Sequence, residues 1–117
     1  MNIKNAAAFT YIDDDARLPG CLEVLQKQSF LAIDMEADSY HHYYPKVCLL
    51  QITADSTHFI IDPLAKVDMP RLLAVLAEKP LILHDAGYDL RMLKADFDFC
   101  PKEPILDTML AGKLLGQ

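Results

Sequence analysis

The segment Phe30-Leu31-Ala32-Ile33 is an unbroken apolar run that stops at Asp34-Met35-Glu36. A run of this kind predicts a strand covered on both faces. Such a strand belongs in a sheet flanked by helices, so the chain is expected to fold as α/β. The same run marks where polar chemistry begins. Side chains at i and i+2 of a strand point to one face, about 7 Å apart along the backbone. Asp34 and Glu36 therefore face one spot at the strand end. Two ionised carboxylates converging there repel, and they need a proton, a basic partner or a divalent cation. Hard oxygen ligands suit Mg²⁺ or Mn²⁺. An alternative stays open at this point: one carboxylate of the pair points into solvent.

The other elements follow from periodicity and turn chemistry. Thr10-Tyr11-Ile12 is a short strand candidate. Asp13, Asp14 and Asp15 supply cap chemistry for a helix reaching Gln28, with Leu18, Leu22 and Leu25 on one face. Residues 47–53 and 58–62 read as two more strands, and the short link Ala54-Asp55-Ser56-Thr57 forces them antiparallel. Asp68 caps a helix that accepts Pro70 in its first turn and carries Leu72, Leu73 and Leu76. Residues 81–83 form another buried strand, ending at His84-Asp85. Gly87 leads into a helix with Leu90, Leu93 and Phe97 at helical spacing. Asp89 borders the core-facing stripe of that helix. Alone, it reads first as an acidic residue complementing the helix dipole. Joined to Asp34 and Glu36, it favours a metal site. After a Pro-containing loop at 100–104, a last amphipathic helix runs from about Asp107.

Composition narrows the function classes. The chain has 117 residues and a net charge of −6, so one domain over 1–117 is expected. The acidic balance argues against a basic nucleic-acid clamp, but a carboxylate metal site is itself acidic. Cys21, Cys48 and Cys100 are odd in number and set among apolar residues. They predict no disulfide framework and a reducing, cytoplasmic compartment. No signal peptide, membrane span or Gly-rich phosphate loop is found in the sequence.

Several motifs, in order, carry a family likeness. Leu31-Ala32-Ile33-Asp34-Met35-Glu36, then Tyr43 to Ile52, then Ile61-Asp62-Pro63-Leu64 resemble the opening of the ribonuclease D-type 3'-5' exonucleases. These belong to the DEDD superfamily. Leu83-His84-Asp85-Ala86-Gly87-Tyr88-Asp89-Leu90 resembles that family's second motif, and Leu106 to Ala111 the segment after it. The resemblance implies a ribonuclease-H-like mixed sheet flanked by helices, incomplete at the C-terminus. It implies a two-metal exonuclease acting on the 3' end of RNA or single-stranded DNA. Asp34, Glu36 and Asp89 match the family's metal ligands, for two Mg²⁺ or Mn²⁺ ions. Asp85 and Tyr88 would line the site. Apart from the resemblance, His84 reads as a buried, hydrogen-bonded residue or substrate contact rather than a general base. Met35, Ala37 and Tyr40 match residues beside the terminal nucleotide. The family's third motif, a Tyr or His followed four residues later by a fourth Asp, has no counterpart in this chain. Poor cleavage by the chain alone is therefore expected.

Tyr40, His41, His42, Tyr43 and Tyr44 could stack on bases, or pack back on the sheet. A non-catalytic nucleic-acid-binding or scaffold module of the same ancestry is the first rival reading. A receiver-type phospho-acceptor domain is the second, with Asp13, Asp14, Asp62 and Lys102 in its key places. It needs a helix between its second and third strands, where this sequence has none. The exposed apolar face of the last helix makes self-association an expected property.

Overall fold

The computed structural model describes residues 8–38 and 46–116. Six strands and four helices follow in the order β1 (Ala8–Asp14), α1 (Leu18–Gln26), β2 (Leu31–Asp38), β3 (Lys46–Ala54), β4 (Thr57–Lys66), α2 (Met69–Ala77), β5 (Leu81–Leu83), α3 (Ala86–Phe97), β6 (Ile105–Asp107) and α4 (Thr108–Leu114). The strands form one sheet in the order β1-β4-β3-β2-β5-β6. It is mixed, as expected. β2, β3 and β4 run antiparallel to their neighbours in that trio, whereas β1–β4, β2–β5 and β5–β6 are parallel pairs.

The β3–β4 hairpin confirms the antiparallel pairing read from its short link. Its turn places Asp55 at φ 56°, a left-handed conformation that aspartate tolerates better than most residues. An antiparallel centre is incompatible with the all-parallel sheet of a receiver domain.

The apolar run at the start of β2 is covered on one face rather than two. Leu31 and Ile33 are buried, whereas Ala32 is half-buried and Asp34 and Glu36 are exposed. Phe30 precedes the strand and is 54% exposed. The strand also continues through Asp34, Met35 and Glu36 to Asp38 instead of ending there. Pairing with β3 explains the extension: Asp34 lies opposite Gln51 and Glu36 opposite Leu49. The register then shifts between Glu36 and Ala37.

Ile33 of β2, Ile52 of β3 and Ile61 of β4 join one buried cluster with Leu18 and Leu25 of α1 and Leu72 and Leu76 of α2. Helix α2 follows its sequence pattern. Asp68 accepts the Arg71 N–H at 3.2 Å, Pro70 sits in the first turn, and Leu72, Leu73 and Leu76 are buried. Helix α1 departs from its pattern. Its N-cap is Arg17, which makes no side-chain cap bond. Asp14 instead accepts the Ala16 N–H at 2.9 Å, and Asp15 accepts the Asp68 N–H at 2.7 Å. The aspartates brace the turn before α1 and the start of α2, rather than capping α1.

Two further corrections concern the C-terminal third and the cysteines. Residues 105–107 form β6, which pairs in parallel with β5, Leu81 opposite Ile105 and Leu83 opposite Asp107. Three residues are too few to show a period of two, so the sequence alone assigns no strand before the last helix. Cys21 is buried, and burial pushes its thiol up to about 12. Cys100 is exposed, with Sγ 3.5 Å from Lys94 Nζ, so its setting is not apolar. No described helix is long and apolar enough to cross a membrane.

Candidate active site

The side chains of Asp34 and Glu36 share the solvent face of β2, because Leu31 and Ile33 claim the core face. The backbone N–H of Met35 donates to Asp34 Oδ1 at 2.9 Å. A small cleft of about 120 Å³ opens here, lined by Asp34, Met35, Glu36, Leu49, Gln51 and Ile60. Met35 is half-buried and packs in part against the core. Ala37 is half-buried just past the register shift. Tyr40 and the aromatic loop at 40–44 lie outside the described residues.

The second half of the site is the junction between β5 and α3. Asp89 stands in the first turn of α3 and is 7% exposed, the sole buried charged residue among those described. Burial pushes its carboxyl up to about 6, the negative charges of Asp34, Asp85 and Asp107 push the same way, and His84 opposes them. The residue placed at the border of the core stripe by periodicity is therefore there, and Asp34 of β2 acts on it.

Asp85 is the N-cap of α3 but makes no side-chain cap bond, because its backbone is left-handed at φ 59° and ψ 59°. Its side chain is exposed, as is Tyr88, at 41%. His84 is exposed rather than buried, although it is hydrogen-bonded: Nδ1 lies 3.0 Å from Thr108 Oγ1. Thr108 Oγ1 itself donates to the Leu83 carbonyl at 3.3 Å. With that hydroxyl proton used, Thr108 Oγ1 is left to accept from His84 Nδ1.

Sequence reasoning missed Asp107 as part of this junction. Its Oδ1 accepts the backbone N–H groups of Asp85 (3.1 Å), Met109 (3.0 Å) and Leu110 (3.4 Å), and its Oδ2 accepts that of Ala86 (3.0 Å). Burial alone would raise this carboxyl, but the four N–H donors outweigh it and hold it below the usual carboxylate range. The signal was available in part. Asp-Thr before the apolar Met109-Leu110-Ala111 is a helix-start pattern. Nothing in the sequence announces the long-range bonds to Asp85 and Ala86.

Among the described residues, no group of three or more His, Cys, Asp or Glu side chains is placed to hold a metal ion. The donor chemistry nonetheless suits a divalent cation. Asp89 is buried among like charges, and among the described residues His84 is the basic side chain that opposes the rise of its carboxyl.

A profile of the 3'-5' exonuclease family matches residues 9–117. The chain belongs to the 3'-5' exonuclease family. Ribonuclease D of Haemophilus influenzae is 31% identical over 115 residues, covering 97% of this chain and 29% of that protein. Among solved structures, Escherichia coli RNase D superposes with a TM-score of 0.83 at 27% identity, over 100% of this chain and 30% of that one. The catalytic core of Trypanosoma brucei RRP6 gives 0.84 at 26%, over 100% and 33%. This exonuclease-family chain thus spans about a third or less of the length of these relatives. Its six-stranded mixed sheet is the fold of RNase D and RRP6.

Proposed function

We propose that this chain carries the metal-binding half of a 3'-5' exonuclease centre that removes nucleotides from RNA 3' ends. One observation carries the reading: the carboxyl of Asp89 is buried, 7% exposed, at a junction where the charges of Asp34, Asp85 and Asp107 act on it. A divalent cation relieves that repulsion. Asp34, Glu36 and Asp89 would hold Mg²⁺ or Mn²⁺. When bound, a pair of such ions supplies an activated water and stabilises the leaving oxygen of a phosphodiester. The protein's own share is positional. The exposed ring of Tyr88 stands ready to stack on a terminal base, and the exposed ring of His84 to contact substrate.

RNA is favoured over single-stranded DNA because the relatives matched by sequence are ribonuclease D proteins. The resemblance places a further Tyr or His and a fourth Asp after the last helix, so the 117-residue chain by itself is expected to cleave slowly. The same proposal includes a cytoplasmic location and self-association through α4, where Leu110, Leu114 and Leu115 are exposed.

Titrating Mn²⁺ into the chain and into Asp34→Ala tests the assignment. Weaker binding by the variant is expected. Identical curves overturn the site and leave the non-catalytic module as the better reading.

A further inference from the structure

The start of α3 presents an anomaly of capping. The residue in the N-cap position, Asp85, is of a type that usually caps well, yet it makes no such bond. Its backbone is left-handed, and its side chain is exposed. The N–H groups of Asp85 and Ala86 go instead to Asp107, across the sheet edge from β6. The same carboxylate also takes Met109 and Leu110 at the start of α4. One side chain therefore closes two helix starts, and the carboxylate of Asp85 is left exposed beside Asp89.

We propose that Asp107 is the positioning residue of this site: by gripping the Asp85–Ala86 backbone it sets the first turn of α3, and with it the placement of Asp89 and the outward carboxylate of Asp85. The inference rests on the metal-binding reading of Asp34, Glu36 and Asp89. Its physical basis is geometric. Asp89 follows Ala86 within the first helical turn, and its N–H bonds to the Asp85 carbonyl at 3.4 Å. A rotation of the Asp85–Ala86 peptide therefore carries Asp89 with it. Thr108 adds a second tie at the same junction, through His84 and the Leu83 carbonyl. Aspartate is the residue suited to the role, because a carboxylate offers two oxygens and about four acceptor sites. An asparagine keeps the shape but presents an N–H₂ group to one of the backbone donors.

The test compares Mn²⁺ affinity, read by electron paramagnetic resonance well below the melting temperature, with thermal stability read separately. Asp107→Ala, Asp107→Asn, Asp89→Asn and Leu72→Ala are measured beside the wild type. Leu72 is fully buried in α2 and serves as a destabilised control. Partners that orient metal ligands are typically worth roughly 10- to 100-fold in affinity. Both Asp107 variants are expected to weaken Mn²⁺ binding by about that factor, while Leu72→Ala lowers the melting temperature and keeps its affinity. Asp107 variants that bind like the wild type, or that lose no more affinity than Leu72→Ala, overturn the positioning role while Asp89→Asn still weakens binding. If Asp89→Asn binds like the wild type, the underlying metal assignment falls instead. A measurement on the wild type alone covers the case in which the variants do not fold. In a Mg²⁺ titration followed by NMR, the Asp85 and Ala86 amide signals are expected to move together with that of Asp89; static signals at Asp85 and Ala86 beside a moving Asp89 overturn the inference.

Discussion

Asp34 on β2 and Asp89 on α3 lie far apart in the chain, yet the charge of the first helps hold the proton of the second. The effect adds to that of burial, since Asp89 is 7% exposed. An interior that raises a carboxyl in this way stores a demand for positive charge, which a metal ion meets and a proton meets in its absence.

That demand predicts a pH dependence. The carboxyl of Asp89 rises from 3.8 to about 6 on folding, so the folded chain holds this proton more tightly than the unfolded one. In chelator, its contribution to stability is fully present below 3.8 and is lost as pH rises to about 6. The loss above that range is about 3 kcal/mol, at 1.36 kcal/mol per pH unit. Asp89→Asn should be more stable than the wild type at pH 8 and close to it at pH 4. Urea melts across that range check it; parallel curves for the two proteins would exclude the effect.

Metal should reverse the loss. Mn²⁺ at about 100 times its dissociation constant stabilises a single-site protein by about 2.7 kcal/mol. The wild type should gain this order of stability at pH 7.5 and lose it again on adding chelator. Asp34→Ala and Asp89→Asn should gain much less, as read by the shift in melting temperature.

Legibility was uneven along the chain. Asp68, Pro70 and the leucines of α2 announce a cap, a first turn and a buried stripe within one short window, and the helix forms as written. The same holds for Asp34 and Glu36, whose spacing puts them on one face of β2. Legibility fails where a partner distant in sequence decides the outcome. β2 runs on past Glu36 because β3 pairs with it. β6 is a strand because β5 lies beside it. Asp13, Asp14 and Asp15 look like caps for α1, but Asp15 serves the start of α2. His84 reads as interior from its place after an apolar strand, but it stands exposed beyond the end of β5.

Helix caps offer a local test of this account. Asp68→Ala removes the acceptor for the Arg71 N–H and should cost about 1 kcal/mol. Asp13→Ala, at a position with no cap bond, should change stability by less than about 0.5 kcal/mol. Chemical denaturation of the two variants separates them.

At the other end of α3, Asp98 adopts the left-handed conformation at φ 56° as C-cap. Its ion pair with Lys94 is exposed on both sides, and such pairs are worth roughly 0–1 kcal/mol. Glycine adopts this backbone without the steric penalty of a Cβ. Asp98→Gly should therefore leave stability unchanged or raise it slightly, despite losing the pair, whereas Asp98→Val should lower it by about 1 kcal/mol or more. Melting curves in low salt decide between backbone and ion pair.

The double grip of Asp107 has a consequence for how the protein is made. Translation delivers Asp34 and Glu36 early and the aspartate that fastens α3 late. While the ribosome is still between Phe97 and Ile105, the N–H groups of Asp85 and Ala86 have not yet met their acceptor, and β5 lacks the neighbour that lies along its outer edge. Asp34, Glu36 and Asp89 are already synthesised by then. On the positioning role proposed for Asp107, their alignment waits for a residue made after all three, so the order of synthesis would delay the assembly of the proposed metal site.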